Sequence, residues 1–184
     1  MLPFDAQAAL VAQSPQPAEL QRVAMRSSDV DILMVPGWFG SGAGHWQSRW
    51  LRNLSTAQLV EQDDWTAPDK DEWVGKILTA VAEAERPVVL VAHSLGTIAV
   101  AHAASKLPQG AILGAFLVAP ADVENPGGWP VPDGYERPDG GFGFAPVPAE
   151  PIRCPTMLLA SDDDPYCRIE RARHFAAAWG SELV

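Results

Sequence analysis

The sequence predicts an α/β domain with a mainly parallel central sheet. Short apolar runs rich in β-branched residues alternate along the chain with segments whose apolar residues have helical spacing. This alternation is typical of strand–helix–strand units, in which helices cover both faces of a parallel sheet. The chain has 184 residues, of which 47% are hydrophobic and 20% charged, so it is long enough to bury the core of one domain.

The first strand and the first helix are predicted from residue 32 onward. Residues 32–35 form a short apolar run that stops at Pro36-Gly37, as a buried strand does at a turn. Trp46 and Trp50 lie four residues apart within the segment 44–53 and form a helical stripe. We therefore expect a strand, a turn and a helix in that order.

A second strand is predicted at residues 58–61, and a second helix follows it. Asp69 and Glu72 have the spacing of a capping box, which marks the start of a helix. We expect this helix to end before Pro87, because proline lacks the N–H that would continue it. Its apolar stripe consists of Trp73, Ile77, Leu78 and Val81.

The second half of the chain continues the alternation. Residues 88–92 are continuously apolar and β-branched, as a central parallel strand requires, and the Ala-rich segment 97–107 is predicted to be helical. Further strands are predicted at 112–118 and 156–160, and a helix at 168–179. The last four residues are expected to begin one more strand.

Two segments depart from this pattern. Residues 1–28 are rich in Ala, Gln, Pro and Ser, so we expect an N-terminal extension, poorly structured or partly helical around 6–12, before a single domain at 29–184. Residues 120–151 contain eight Pro and six Gly in 32 positions. A loop this long is either a surface excursion or a cover that faces the substrate, and the sequence leaves both open.

Composition and charge exclude several classes of protein. The net charge of −10 and the pI near 4.7 leave no basic surface for nucleic acid or an anionic membrane. Two cysteines are too few for a disulfide framework or, without several histidines, for a zinc site. No basic residue precedes Arg22 and no apolar stretch approaches 18 residues, so we predict neither an export signal nor a membrane span, and expect a cytoplasmic protein.

The segment Ala92-His93-Ser94-Leu95-Gly96 carries the clearest chemical signal. A nucleophile elbow consists of a strand, a sharp turn that holds a serine, and a helix directly behind it. Small residues two before and two after the serine let strand and helix approach closely; here they are Ala92 and Gly96, so G-x-S-x-G is altered by one methyl group. The predicted strand and helix on either side favour Ser94 as a nucleophile over an ordinary helix N-cap.

Acyl transfer at a serine needs hydrogen-bond donors for the oxyanion. One is the backbone N–H of Leu95, the residue after the nucleophile, and the other comes from a loop after an earlier strand. The loop 36–40 fits that role, and we expect the N–H of Trp38 to be the donor. The alternative is a dinucleotide-phosphate loop. It is disfavoured because the glycines are spaced G-x-G-x-G and do not complete G-x-G-x-x-G.

The acid of a catalytic triad is expected at the end of a later strand, after the serine in chain order. Three consecutive aspartates, 162–164, follow the strand predicted at 156–160. Oxygen ligands suit Ca²⁺ or Mg²⁺, but this run lacks the alternating D-x-D-x-D-G spacing of a calcium loop. A solvated acidic turn that caps the next helix is the plainer alternative. We expect Asp164, just before Pro165, to be the acid, with Asp163 as the second choice.

Four parts of the chain together form a recognisable set. They are residues 35–38 with 44–50, residues 92–96, residues 160–167 and residues 175–183. The set resembles the retinoblastoma-binding-protein-nine/YdeN family of small α/β hydrolases, and Gly-His-Trp-Gln at 44–47 and Ser-x-x-Asp-Pro-Tyr-Cys at 161–167 are its most diagnostic motifs. The resemblance extends from about Asp31 to the last residue. It implies a three-layer α/β-hydrolase sandwich without a large cap domain, with Ser94 as nucleophile, Asp164 as acid and activity on small esters or amides.

The base that a serine nucleophile needs is a histidine after the acid in chain order. Only His174 follows Asp164, and it lies within a predicted helix, off the apolar face, so a solvated position is the better interpretation. His93 is next to the nucleophile, but adjacent side chains on a tight turn diverge. His45, near the start of the first helix, lines the site or satisfies local backbone, and His102 is interpreted as structural.

We therefore hypothesise that the catalytic histidine follows Val184, because in the resembled family a Gly-His segment comes soon after the last strand begins. The 184-residue chain by itself is then expected to be nearly inactive. The sequence favours a serine hydrolase that acts on small-molecule esters or amides through an acyl-enzyme, with no metal or organic cofactor. A substrate pocket is expected at His45, Trp46 and Trp129. The alternative is a non-catalytic interaction protein on a hydrolase scaffold.

Overall fold

Six strands and four α-helices are present in the computed structural model, which describes residues 25–136 and 139–184. The strands are β1 (Asp31–Val35), β2 (Ala57–Leu59), β3 (Val88–His93), β4 (Gly114–Val118), β5 (Thr156–Leu159) and β6 (Glu182–Leu183). The helices are α1 (Trp46–Asn53), α2 (Lys70–Glu83), α3 (Leu95–Lys106) and α4 (Ile169–Trp179). The strands form one open, parallel sheet in the order β2-β1-β3-β4-β5-β6. The predicted α/β class with a parallel sheet is confirmed.

The predicted elements form near their expected positions and differ mainly at their ends. β2 is shorter than predicted and ends at Leu59. α3 begins at Leu95, two residues earlier than predicted, because the turn at Ser94 leads directly into it. The start of α2 follows the expected capping pattern, since the Asp69 side chain accepts a hydrogen bond of 2.9 Å from the Glu72 N–H.

The predicted N-terminal extension lies mostly outside the described residues. Residues 1–24, including the part expected to be helical, are not among them, and Ser27–Asp29 form a short 3₁₀ turn before β1. The division between extension and domain near residue 29 stays a prediction. Within residues 25–136 and 139–184, no helix is both long enough and apolar enough to cross a membrane.

Alternating strand residues divide the core between the two faces of the sheet. On one face, Leu33 and Leu90 belong to a large buried cluster that includes side chains of α2, α3 and α4. On the other face, Ile32, Met34 and Val91 pack against α1. The sheet therefore separates two helical layers, as the sequence predicts for a three-layer sandwich.

The Pro- and Gly-rich segment 120–151 connects β4 to β5. Its described residues form two short 3₁₀ turns and otherwise irregular structure. Trp129 and Phe144 are 2% and 0% exposed and belong to the large core cluster. The Phe144 carbonyl also lies 2.8 Å from Nε2 of His102, which supports the structural role expected for that histidine. The segment is thus anchored in the core at both positions.

A buried carboxylate fixes the start of β1 to the connection between α2 and β3. Asp31 is 1% exposed, and its Oδ2 accepts hydrogen bonds from the backbone N–H groups of Glu85 (2.9 Å) and Arg86 (2.8 Å). Its Oδ1 accepts one from the Arg86 guanidinium at 3.0 Å. The pKa of Asp31 is lowered, first by the hydrogen bond from the Arg86 N–H and then by the other hydrogen bonds and the Arg86 charge. Burial by itself would raise this pKa, but the hydrogen bonds outweigh it.

We predict that Asp31→Asn destabilises the fold in a pH-dependent way. The native pKa lies below the ordinary value of 3.8, so the carboxylate contributes its full stabilisation above that pH and loses it as the pH falls through the native pKa. The deficit of the variant in the free energy of unfolding should be largest at pH 7 and shrink toward pH 3. Urea titrations at both pH values measure this, with the exposed Asp162→Asn as control. A deficit that does not change with pH would contradict the assignment.

Candidate active site

The turn between β3 and α3 has the strained geometry that the sequence predicts. Ser94 has φ 52° and ψ −124°, a region that non-glycine residues rarely occupy. Its backbone N–H donates to Val118 O at 3.0 Å, and its carbonyl accepts from both the N–H and the hydroxyl of Thr97. The Ser94 hydroxyl makes no capping hydrogen bond to α3. The turn therefore projects the hydroxyl away from the helix, unlike an ordinary N-cap serine.

Two glycines let the loop after β1 approach this turn closely. A Cβ atom at Gly96 would lie 2.3 Å from Pro36 O and 2.4 Å from Val35 O, distances at which atoms overlap. A Cβ atom at Gly37 would lie 2.7 Å from the Cβ of Ser94. The loop, the nucleophile turn and the first turn of α3 are thus in direct backbone contact.

The two expected oxyanion donors lie beside Ser94. Leu95 is the first residue of α3, where a backbone N–H has no partner within the helix. In the loop, the N–H of Phe39 donates to Trp65 O and that of Gly40 to Gly37 O, whereas among the described residues the N–H of Trp38 has no hydrogen-bond acceptor. The geometry leaves these two N–H groups available for a ligand.

A small depression of about 130 Å³ lies at Ser94. Its lining residues are Trp38, Phe39, His93, Ser94, Leu95, Trp129 and Tyr166. Of the three residues expected to form a substrate pocket, only Trp129 lines it. His45 and Trp46 instead contact the ring of His93, at centroid distances of 4.7 and 6.1 Å. Phe39 and Tyr166 were not singled out as lining residues from the sequence, although Tyr166 lies in the diagnostic Asp-Pro-Tyr-Cys motif.

A larger cavity of about 720 Å³ adjoins the depression. Trp129 and Tyr166 line both, and the cavity continues between the segment after β4 and the first half of α4. The Trp129 indole N–H donates to Tyr166 O at 3.0 Å, and the Tyr166 hydroxyl donates to Pro130 O at 3.2 Å. These bonds join the segment after β4 to the loop after β5 at the two residues that the cavity and the depression share.

The aspartates in the loop after β5 differ in how far they are buried. Asp164 is half-buried, and its Oδ1 accepts a 2.8 Å hydrogen bond from the Tyr166 N–H, whereas Asp163 is exposed and accepts from the Ser161 hydroxyl. Burial raises the pKa of Asp164, and the N–H groups of Tyr166 and Cys167 partly oppose this. Parallel strands are spaced by about 4.8 Å, so the ends of β3 and β5, two strands apart, are separated by about 10 Å.

No hydrogen bond joins any of the chain's four histidines, all of them described, to Ser94 or Asp164. Burial lowers the pKa of His93 to about 4, with the nearby His45 as a smaller cause, so this imidazole is neutral at physiological pH. His45 caps α1 by accepting from the Gln47 N–H, and burial lowers its pKa as well. His174 is exposed on α4, as the sequence predicts.

A six-stranded parallel sheet between helices, with a strained serine turn after its third strand, defines an α/β hydrolase. The profile of the serine hydrolase family matches residues 32–184. A YdeN-like hydrolase from Pectobacterium atrosepticum is 34% identical, with a TM-score of 0.68 over 86% of this chain and 77% of that one. The chain therefore belongs to the serine hydrolase family, among its small YdeN-like members.

Two more distant structures share the fold. The ydeN gene product of B. subtilis is 18% identical, with a TM-score of 0.61 over 83% of this chain and 82% of that one. Mouse α/β hydrolase domain-containing protein 10 is 19% identical, with a TM-score of 0.57 over 83% and 77%. Comparison with curated proteins gave no match. As in the resemblance inferred from the sequence, no cap domain is present among the described residues.

The contacts at Gly96 predict that a single methyl group disrupts the site. Gly96→Ala should lower the free energy of unfolding by about 2 kcal/mol or more, because its Cβ would meet the backbone of Val35 and Pro36. Gly75→Ala, in α2 with open space around it, is the matched control and should raise stability by about 0.5–1 kcal/mol through helix propensity. Urea denaturation of both variants measures this. Equal effects of the same sign would contradict the close approach.

Proposed function

We propose that this protein is a serine hydrolase that cleaves small esters or amides through an acyl-enzyme on Ser94. The observation that carries the proposal is the strained turn at Ser94, which packs against the loop of Trp38. Among the described residues, the backbone N–H groups of Leu95 and Trp38 have no acceptor. A serine hydroxyl on such a turn, beside fixed donors, is suited to attack a carbonyl and to stabilise the charge that develops on its oxygen.

The proposed reaction has two halves. The Ser94 hydroxyl attacks the carbonyl carbon and gives its proton to a base, while the N–H groups of Leu95 and Trp38 donate to the oxyanion. The leaving alcohol or amine takes that proton as the tetrahedral intermediate collapses to an acyl-enzyme. Water, deprotonated by the same base, then attacks the acyl-enzyme; the bond between the acyl carbon and Ser94 Oγ breaks, the base returns the proton to Oγ, and the carboxylic acid is released. No step requires a metal or an organic cofactor.

We propose Asp164 as the acid that orients the base. Of the aspartates in its loop it is the one that is half-buried, and a carboxylate sheltered from water holds an imidazolium more strongly than an exposed one does. The separation of about 10 Å between the ends of β3 and β5 leaves room for an imidazole ring to bridge Asp164 and Ser94.

We propose that the base is a histidine located after Val184 in the chain. β6 pairs in parallel with β5, so its carboxyl end lies at the same edge of the sheet as Asp164. A residue shortly after β6 is thereby close to the acid, in the order serine, acid, histidine that this fold uses. The four histidines described above have other contacts or, in the case of His174, an exposed position on α4.

The substrate is proposed to bind across Ser94 and into the 720 Å³ cavity. This volume is in the range of sites for small molecules. The Tyr166 ring lines both the depression at Ser94 and the cavity, and the buried Trp129 ring packs against it, an aromatic wall that suits an apolar acyl or alcohol group.

For the chain extended past Val184, the serine assignment predicts labelling by a fluorophosphonate probe and hydrolysis of p-nitrophenyl acetate, both lost in Ser94→Ala. Loss of a triad nucleophile lowers kcat on the order of 10⁶-fold. Ser105 is an exposed serine near the end of α3, and the control variant Ser105→Ala should behave like the wild type. Labelling that persists in Ser94→Ala would contradict the assignment.

The same assay tests the base. A chain extended past Val184 with its natural sequence should hydrolyse the ester, whereas the 184-residue chain should retain only about 10³–10⁴-fold acceleration over water. Equal, rapid turnover by both chains would place the base within the 184 residues. Absence of labelling and turnover in both would favour the non-catalytic interaction protein.

The burial difference within the acidic loop predicts unequal effects of two matched variants. Asp164→Asn should lower kcat on the order of 10⁴-fold, because an amide no longer holds the imidazole in the required tautomer. Asp163→Asn, one residue away and exposed, should change kcat by less than about threefold. Steady-state hydrolysis of p-nitrophenyl acetate by the extended chain distinguishes them, and the opposite ranking would make Asp163 the acid.

A further inference from the structure

We infer that Gln47 is a positioning residue that holds the loop carrying Trp38 in register with Ser94. This inference rests on the proposed function, because it concerns the placement of a proposed oxyanion donor. Gln47 is the second residue of α1 and is 0% exposed, the one buried side chain of that helix. A buried amide is costly unless its polar atoms are paired, so its contacts are informative.

Both polar atoms of the Gln47 amide are hydrogen-bonded. Nε2 donates to Val91 O at 3.0 Å and to Val35 O at 3.3 Å. Oε1 accepts from the Ser41 hydroxyl at 2.7 Å. One side chain therefore joins two strands of the sheet to a point in the loop after β1.

The two carbonyls lie where strands β1 and β3 end. Val35 is the last residue of β1 and pairs in register with Ala92. Trp38, in the loop, follows Val35 by three positions. Val91 is three positions before Ser94 on β3. Gln47 thus contacts β1 at its last residue and β3 two residues before its end, close to where these strands lead into the oxyanion loop and the nucleophile turn.

Ser41 connects this amide to the loop from the other side. Its hydroxyl donates to Gln47, and its carbonyl accepts a 2.8 Å hydrogen bond from the Ser48 hydroxyl, also on α1. The remaining backbone bonds of the loop run to Trp65 and within the Gly37–Gly40 turn. Among the described residues, the Ser41–Gln47 bond is therefore the side-chain hydrogen bond that connects the loop, through Gln47, to β3, in addition to the backbone contact at Gly37 and Gly96.

This link matters for chemistry because an oxyanion donor acts only if it is held at hydrogen-bond distance from the developing charge. Loss of one donor costs about 10²–10³ in kcat, and a displacement of about 1 Å of a reacting group has effects of similar size. An apolar residue would fill the space at Gln47 without pairing requirements. The amide instead fixes three backbone segments in one arrangement.

Ser41→Ala tests the inference, because it removes the link and leaves the Gln47 bonds to both strands in place. In the chain extended past Val184, we expect kcat for p-nitrophenyl acetate to fall about tenfold with KM changed less than twofold. Ser41→Thr keeps the donor hydroxyl and should restore kcat to within about threefold of the wild type. Asn53→Ala removes a side-chain hydrogen bond of the same helix that does not reach the loop, and should leave kcat unchanged.

Hydrogen exchange supplies a readout that does not depend on turnover. In Ser41→Ala the amides of residues 37–41 should exchange at least about fivefold faster, while those of β3 and α3 keep the wild-type rate. Gln47→Met, which removes all three bonds, should show a larger fall in kcat if it folds, and Ser41→Ala decides the question if it does not.

The outcomes separate the two proposals. Wild-type hydrolysis with unchanged kcat in Ser41→Ala, or a fall in kcat that Ser41→Thr does not restore, would overturn the role of Gln47 alone. A wild-type extended chain that neither hydrolyses the ester nor reacts with the fluorophosphonate would overturn the proposed function, and the role of Gln47 in catalysis with it.

Discussion

The close approach of the loop after β1 to the turn at Ser94 is the constraint on which the site depends. At Gly96 and Gly37 the space for a Cβ atom is occupied by backbone or by Ser94 itself. Because no side chain intervenes, the start of α3, the turn at Ser94 and the loop meet within van der Waals contact. The strain at Ser94 is maintained by this packing and by the Val118 carbonyl on the neighbouring strand.

The polar side chains next to this contact, the half-buried His93 and the buried Gln47, are uncharged. His93 remains neutral because burial lowers its pKa to about 4, and it packs against His45 and Trp46 as an aromatic ring. The buried Gln47 is neutral and fully paired. Asp164 is half-buried and accepts a hydrogen bond from the Tyr166 N–H.

The segment after β4 forms one wall of the larger cavity. Trp129 and Phe144 anchor it in the core, and the Trp129 and Tyr166 hydrogen bonds join it to the loop of Asp164. These contacts pack residues of the segment 120–151 against the core, and a role as a cover that faces the substrate stays a prediction. A cavity large enough for a small molecule results beside Ser94.

The sequence by itself determined the order of strands and helices, the elbow at Ser94 and the family, because apolar periodicity and short motifs are local signals. It also indicated that His174 is solvated, from its position off the apolar face of α4. Only the tertiary structure decided that His45 and Trp46 pack behind His93, that Phe39 and Tyr166 line the depression, and that Gln47 joins three segments. These facts depend on which residues distant in the chain meet at the carboxyl ends of the strands, and that depends on the packing of the whole sheet.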